Sequence, residues 1–201
     1  MCAVNWGLLA DVLGAIAGLI TAAVAAWALL KSYPGWLRRQ NHLRKSERAE
    51  QILASFYECR RSISSVRRPL ITGAELAAAE EKLKDEKVPL ENGKDQLVTA
   101  QAMLTRMHED RSVWQKLNDL MPFASVNFGD EVDGALKATM KTRAEFIASA
   151  KSYSDAQGEF REGVRRRLFG IPQEGQEDQL EVCLKEQEII LFQHLRKYIE
   201  T

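Results

Sequence analysis

Arginine and hydroxyl side chains that could bind phosphate are concentrated in one segment of this 201-residue chain. The run from Cys59 to Ala74 contains no acidic residue. Guanidinium groups and hydroxyls donate to phosphate oxygens, and helical spacing would bring several of them to one side. The alternative is a solvated helix face, or one paired with the acidic remainder of the chain. The candidate anion- or oligonucleotide-binding residues of this segment are Arg60, Arg61, Ser64, Arg67 and Arg68.

A second basic cluster precedes a loop at Gly170–Gly175. Glu162 can pair with Arg166 at a spacing of four, so a salt-bridged helix surface is the competing interpretation. If identical subunits assembled around an axis, such cationic groups would repel unless an anion neutralised them. This cluster is therefore a second candidate site for an anionic ligand. Its residues are Arg161, Arg165, Arg166 and Arg167.

Asp11 is the one charge at the edge of an apolar N-terminal segment. On a helical wheel it falls on the side of Gly14 and Gly18, where a second helix would pack. A charge in a membrane centre costs about 2.5–3.5 kcal/mol on insertion scales. Asp11 lies either at the outer headgroup level or in a ring of carboxylates at the mouth of a narrow path that favours cations. In the second case Thr21 would also line the path.

The element that must position Asp11 and Thr21 is a helix with a stripe of small residues. No charge occurs from residue 12 to residue 30, which is long enough to span a hydrocarbon core of about 30 Å. In lipid, small residues four apart let helices approach closely and associate. We expect a transmembrane helix over about residues 8–30 that self-associates. The predicted seam consists of Ala10, Gly14, Gly18, Ala22 and Ala26.

Charge asymmetry predicts the orientation of this span. No Lys or Arg precedes Lys31, whereas residues 31–68 carry ten Lys or Arg against three Glu. The positive-inside rule then places the N-terminus outside and the remainder in the cytoplasm. A secretory signal peptide is the competing interpretation, but it would have a positive region before its apolar run. Residues 69–201 carry eighteen basic against twenty-four acidic residues, so the predicted cytosolic body is mildly acidic.

The rest of the chain reads as amphipathic helices. Pro34-Gly35 is expected to break or bend the helix, and a second helix should run from about 37 to 66 before Arg68-Pro69. Thr72 with Glu75 predicts a capping box for a short helix to about 87. Further helices are expected over 97–120, ending near Pro122, and over 178–198.

Between those two helices the pattern predicts a packed loop over 123–128. A fifth helix, capped by Asp130, should follow to about residue 168, with Gly158 as a point of interruption. No strand or hairpin pattern occurs. The predicted class is all-α, with one N-terminal transmembrane helix followed by a cytosolic helical bundle. The predicted divisions are an anchor over 1–33, a basic juxtamembrane helix over 34–68 and a helical domain over 69–201.

Enzyme signatures are absent from the sequence. The three histidines are isolated from one another and lie in no HExxH motif, and there is no P-loop and no GxGxxG. Cys2, Cys59 and Cys183 are far apart and odd in number, which predicts free thiols, the latter two as small apolar core residues. We expect a protein that is not an enzyme and has no cofactor or metal site.

The layout resembles the single-pass membrane effectors of bacterial anti-phage operons, in particular the oligonucleotide-gated Hailong type. The resemblance rests on the GxxxG-bearing span, the basic segment from Pro34 to Arg68 and the all-helical body. It implies a homo-oligomer in the bacterial inner membrane that forms or gates an ion path. It also implies control by a nucleotide or oligonucleotide bound in the cytosolic domain. The alternative is a non-conducting, membrane-tethered adaptor that recruits a protein partner.

Overall fold

The computed structural model describes residues 6–90, 93–172 and 177–200, except for the side chains of 6–13, 16, 32 and 34. Throughout these ranges every regular element is an α-helix, which confirms the predicted all-α class. The helices are α1 (Trp6–Val66), α2 (Gly73–Asp85), α3 (Lys94–Glu109), α4 (Arg111–Phe128), α5 (Asp130–Tyr153), α6 (Gly158–Phe169) and α7 (Gln179–Ile199).

The chain forms two compact units, Met1–Ser46 and Glu47–Thr201. The boundary lies inside α1 and inside the predicted juxtamembrane segment 34–68. In the first unit, the described apolar side chains of α1 are exposed, among them Leu19, Trp27 and Leu30. Among the residues that the structure describes, no helix has an apolar stretch long enough to cross a membrane.

The second unit is built around a single main core. The second half of α1 contributes Ile52, Phe56 and Ile63, each at most 1 % exposed and all on one helical stripe. Helix α5 is central, because it packs against α3, α4, α6 and α7. Trp114 of α4 is 1 % exposed, and its indole N–H donates to the Ser62 hydroxyl at 3.2 Å. Burial of these large side chains is the main favourable term for this unit.

A smaller apolar cluster joins α2 to α3. It consists of Ala79, Leu83, Val98 and Ala102, all nearly or fully buried. The small alanines allow the two helices to approach closely, so a short helix is held by few side chains. Helix α2 therefore depends on its neighbour α3 and on its cap.

The cap of α2 is the capping box predicted from the sequence. The Glu75 N–H donates to the Thr72 hydroxyl at 3.3 Å, and the Thr72 N–H donates to the Glu75 carboxylate at 2.7 Å. Arg106 of α3 adds an ion pair to the same carboxylate at 2.7 Å and donates to the Leu70 carbonyl at 3.0 Å. One guanidinium thus ties α3 to the loop after α1 and to the first turn of α2.

Helix α1 does not end at the proline that was expected to interrupt it. Residues 34 and 35 are helical and α1 continues to Val66, so of the predicted break or bend the break does not occur. A proline removes one backbone hydrogen bond, and the turns on either side keep theirs. The end of α1 before Arg68-Pro69 agrees with the sequence prediction, because the residue before proline disfavours helical backbone.

The predicted helix over 97–120 is two helices. Asp110 ends α3 and begins α4 with φ −80° and ψ 9°, outside the helical region. Helix α4 then continues through Pro122, so the packed loop predicted over 123–128 is wrong. Its apolar stripe extends past the proline to the buried Ala124 and Phe128. Burial of these two residues explains why the helix continues.

The predicted helix over 130–168 is also two helices, separated at residues 154–157. Gly158 begins α6 with φ 57°, a left-handed conformation that favours glycine, so the predicted interruption there is confirmed. Asp130 is not the cap of α5, because Gly129 occupies that position and Asp130 is the first helical residue. Asp130 still stabilises the helix through its negative charge near the N-terminus.

Truncating a core side chain at the centre of α5 tests this packing. Leu136 is 0 % exposed, so Leu136→Ala should lower the free energy of unfolding by about 2–5 kcal/mol. Leu70 is 79 % exposed, and the matched Leu70→Ala should change it by no more than about 0.5 kcal/mol. Denaturant titration followed by circular dichroism measures both. Equal losses at the two positions would contradict the assigned core.

Acid should weaken the contacts of the Glu75 carboxylate with Arg106 and Thr72. Hydrogen bonds from Arg106 and from Thr72 lower the pKa of the Glu75 carboxyl from its ordinary 4.5 to about 2. Because the pKa is lower in the folded chain, this contact stabilises the fold above about pH 4.5 and is lost as the pH falls through about 2.

The variant Glu75→Gln should therefore flatten the dependence of unfolding free energy on pH in that window. Glu81→Gln is the control, because it removes an exposed carboxyl that forms no ion pair with any described residue. Thermal unfolding at a series of pH values measures the slope. An unchanged slope in Glu75→Gln would contradict the assignment.

Candidate functional site

Arg67 lies just beyond the end of α1 and joins three helices. Its guanidinium donates to the carbonyls of Arg167 at 2.8 Å and Leu168 at 3.4 Å, in the last turn of α6. It also pairs with the Asp178 carboxylate at 2.6 Å. Asp178 is the N-cap of α7 and accepts the Leu180 N–H at 3.3 Å. The residue is only 7 % exposed, so its donors are used within the chain.

Gly170 makes room for this guanidinium. It caps α6 with φ 64°, in the left-handed region that favours glycine. A Cβ at this position would come within 3.0 Å of the Arg67 Nη2 atom. Both the backbone conformation and the close approach therefore require glycine, and Gly170 and Arg67 form one structural unit.

Arg60 of α1 is also paired within the chain. Its guanidinium forms ion pairs with Glu181 and Glu188, which lie two turns apart on α7. The Tyr57 hydroxyl donates to the Glu188 carboxylate at 2.9 Å. These contacts fix the second half of α1 along α7, and they agree with the alternative in which the arginines pair with the acidic body.

The other three candidates of the Cys59–Ala74 segment take no part in these ion pairs. Arg61, Ser64 and Arg68 are exposed, and the Ser64 hydroxyl donates to the Arg60 carbonyl at 3.0 Å. The structure thus separates two arginines that build the fold from two that face solvent. It does not bring the five predicted residues together as one cluster of free donors.

Neighbouring Cys59 is a core residue, as the sequence suggested. It is fully buried, and burial raises the pKa of its thiol to about 12. A thiol with so high a pKa is a weak nucleophile near neutral pH. No group of three or more His, Cys, Asp or Glu side chains among the described residues has the arrangement of a metal site.

The second arginine cluster is divided between two cavities. Arg165 and Arg166 both pair with Glu162, at 3.3 and 3.1 Å, so the predicted Glu162–Arg166 pair is present. Hydrogen bonds from these two arginines lower the pKa of the Glu162 carboxyl. Arg161 and Arg165 line a cleft of about 440 Å³ beside the start of α3, which no side chain caps.

Arg166 and Arg167 line a different and larger cavity of about 580 Å³, formed by α5, α6 and the start of α7. Its wall is apolar at Phe160, Ile171 and Pro172. These wall residues carry no local sequence signal, because helical periodicity does not show which loop folds over which helix. The other described lining residues are Glu145, Ala148, Ser149, Ser152, Gly163, Val164, Glu177, Asp178 and Gln179.

The N-terminal seam is open along its described part. A Cβ added at Gly14 or Gly18 would meet no atom within 4 Å, and Ala22 and Ala26 are exposed. Thr21 donates its hydroxyl to the Ala17 carbonyl at 2.9 Å, so its donor is satisfied within the helix. The side chains of two further candidates lie outside the described residues. They are Ala10 and Asp11.

Comparisons with known proteins assign no class to this arrangement. No protein-family model matches the chain, and neither a curated protein nor a solved structure is similar to it.

The junction at Arg67 can be tested by truncation. Arg67→Ala removes a buried charge, leaves the Asp178 carboxylate without its ion pair and takes the Arg67 donors away from two carbonyls, so the free energy of unfolding should fall by about 3–5 kcal/mol. The adjacent Arg68→Ala is the control, because that side chain is exposed, and its effect should stay within about 0.5 kcal/mol. Denaturant titration measures the free energy of unfolding of both variants. A loss below about 1 kcal/mol in Arg67→Ala would show that the junction is not a structural support.

Proposed function

We propose that this chain is a homo-oligomeric membrane effector whose N-terminal helix forms or gates an ion-conducting path. Binding of an anionic nucleotide or oligonucleotide in the second unit controls that path. The proposed location is the bacterial inner membrane, with the N-terminus outside and the helical domain in the cytoplasm. The proposed role is defence against phage, which rests on the resemblance in layout. Catalysis plays no part in this proposal.

The observation that carries the proposal is the exposed apolar surface of the first unit. Large side chains such as Leu19, Val24, Trp27 and Leu30 have more than half of their surface exposed. Apolar surface in water costs about 25 cal/mol per Å², and monomeric soluble proteins rarely expose a large contiguous patch. Lipid or other copies of the same helix would cover this surface. The uncharged stretch of residues 12–30 supports lipid.

The seam supports self-association. Gly14 and Gly18 have open space where a Cβ would lie, and Ala22 and Ala26 continue the stripe without bulk. Close packing of backbones along such a stripe supplies van der Waals contact that lipid alone does not. One helix per subunit requires several subunits to enclose a path. In that assembly Asp11 and Thr21 are the proposed lining residues.

Continuity of α1 supports coupling between the ligand and the membrane part. The same helix carries the apolar residues of the first unit and the core residues Ile52 and Phe56 of the second. Its end is held by Arg67 and Arg60, which contact α6 and α7. A ligand that favours one arrangement of α6 and α7 would therefore act on α1 directly.

The second candidate is a non-conducting adaptor, and a separate observation favours it. Ile189 and Phe192, three residues apart on α7, are about half exposed. Contiguous exposed apolar surface marks protein-binding faces, and this pair would form part of one. In this alternative the first unit only tethers the chain, and a protein partner docks on the second.

Ion flux separates the two candidates. Liposomes that contain the whole 201-residue chain should leak cations, and Gly18→Leu should reduce the leak to the level of empty liposomes. Leucine would fill the seam and keep the helices apart. Ala23→Leu is the matched control, because it adds the same side chain to the same helix away from the seam. Chemical crosslinking of each variant reports assembly.

The outcomes exclude one another. Leak in the wild type and in Ala23→Leu but not in Gly18→Leu supports a path lined by the seam. Tight liposomes for the wild type, both with and without added oligonucleotide and with crosslinked oligomers present, would overturn conduction and leave the adaptor. Asp11→Asn then tests the lining, since it should lower the preference for cations over anions.

A further inference from the structure

The cavity of about 580 Å³ between α5, α6 and the start of α7 has the size and surface of a small-molecule site. Such sites typically occupy about 300–1,000 Å³ and combine an apolar wall with a few polar groups. This cavity has three kinds of surface: cationic, apolar and anionic. Each restricts the chemistry of a ligand that would fill it.

The cationic surface comes from α6. Arg166 pairs with Glu162 at 3.1 Å, which uses part of its donor capacity. Arg167 is exposed, and its side chain forms no ion pair with any residue that the structure describes. A guanidinium with free donors at the edge of a cavity favours a planar or tetrahedral oxyanion such as phosphate.

The apolar surface comes from both ends of α6. Phe160 is 64 % exposed although it lines the cavity, and Ile171, which also lines it, is 44 % exposed. Pro172 extends this wall. An exposed aromatic ring and an arginine that line the same cavity are the kinds of side chain on which nucleic-acid bases stack.

The anionic surface is the feature that a simple phosphate site would lack. Asp178 is already occupied by Arg67 and by the Leu180 N–H. Glu177 is exposed, and its carboxylate forms no ion pair among the described residues. A free carboxylate repels phosphate but accepts N–H groups. The edge of guanine presents two adjacent N–H donors to one carboxylate, whereas the edge of adenine presents a donor beside an acceptor.

We propose that this cavity binds a guanosine monophosphate unit, either free or at the end of an oligonucleotide. Arg167 takes the phosphate, Phe160 stacks on the base and Glu177 accepts the N–H donors of the guanine edge. This inference rests on the proposed function only where the ligand acts as the regulator of an ion path. The binding itself is a separate property of the second unit.

The position of the cavity gives the ligand access to the end of α1. Asp178 and Arg167 both line it, and both contact Arg67, through the Asp178 carboxylate and the Arg167 carbonyl. A ligand that pulls on Arg167 or shields Asp178 changes the partners of that buried guanidinium. The bound state is therefore coupled to the junction that fixes α1 against α6 and α7.

Calorimetric titration of the whole chain in detergent tests the proposal. The probes are guanosine monophosphate, adenosine monophosphate, guanosine and inorganic phosphate. Guanosine monophosphate should bind tightest, because it alone uses all three surfaces. Arg167→Ala and Phe160→Ala should each lower the affinity for guanosine monophosphate by about tenfold or more. Arg161→Ala is the matched control, since it removes an exposed arginine of the same helix that lines the other cleft.

Glu177→Gln separates recognition of the base from attraction of the phosphate. This variant should lower the affinity for guanosine monophosphate by about tenfold, while the affinity for inorganic phosphate stays equal or improves. A 5′-phosphorylated oligonucleotide that begins with guanosine distinguishes the two sources of the unit: tighter binding than the mononucleotide identifies the oligonucleotide.

Three results would overturn the proposal. They are no binding of guanosine monophosphate at millimolar concentration, equal binding of the adenosine compound, and equal losses in Arg167→Ala and Arg161→Ala. None of these depends on ion flux. Failure of binding and failure of conduction are therefore observed in separate experiments.

Discussion

The second unit depends on one buried guanidinium. Arg67 holds the end of α1, the last turn of α6 and the cap of α7 in a single hydrogen-bonded group. Burying a charge is costly unless each donor finds a partner, and here two carbonyls and a carboxylate supply them. Gly170 provides the space. The arrangement of three helices is thus fixed by one side chain that looks, in the sequence, like a member of a basic run.

The nine basic and hydroxyl candidates therefore have different roles. Arg60 and Arg67 bind carboxylates of α7 or its cap and belong to the fold. Arg165 and Arg166 share Glu162, so part of their charge is balanced locally. Arg61, Arg68, Arg161 and Arg167 are exposed. These arginines differ only in burial and in their partners within the chain. An arginine that is exposed and has no ion pair is the best able to bind an external anion.

Much of the fold followed from local patterns. The Thr72–Glu75 cap and the helix over 178–198 were predicted, because caps and helical periodicity are local signals; Leu184, Leu191 and Leu195 of that helix are buried. The division at Asp110 was not predicted, and the one at residues 154–157 was indicated only by Gly158, since tertiary packing sets where these helices end. The helix was also expected to end near Pro122, but burial of Ala124 and Phe128 carries it past the proline. The larger cavity could not be predicted, because it depends on which non-local segments meet.

The distribution of tryptophan has an optical consequence. Trp114 is enclosed by the core of the second unit, whereas Trp27 and Trp36 of the first unit are more than half exposed. Indole fluorescence shifts to shorter wavelength when water is replaced by apolar surroundings. Transfer of the first unit from water into lipid would shift the fluorescence emission of Trp27 and Trp36 to shorter wavelength and leave the emission of Trp114 unaltered. The chain thus carries its own unlabelled reporter of where its N-terminal helix resides.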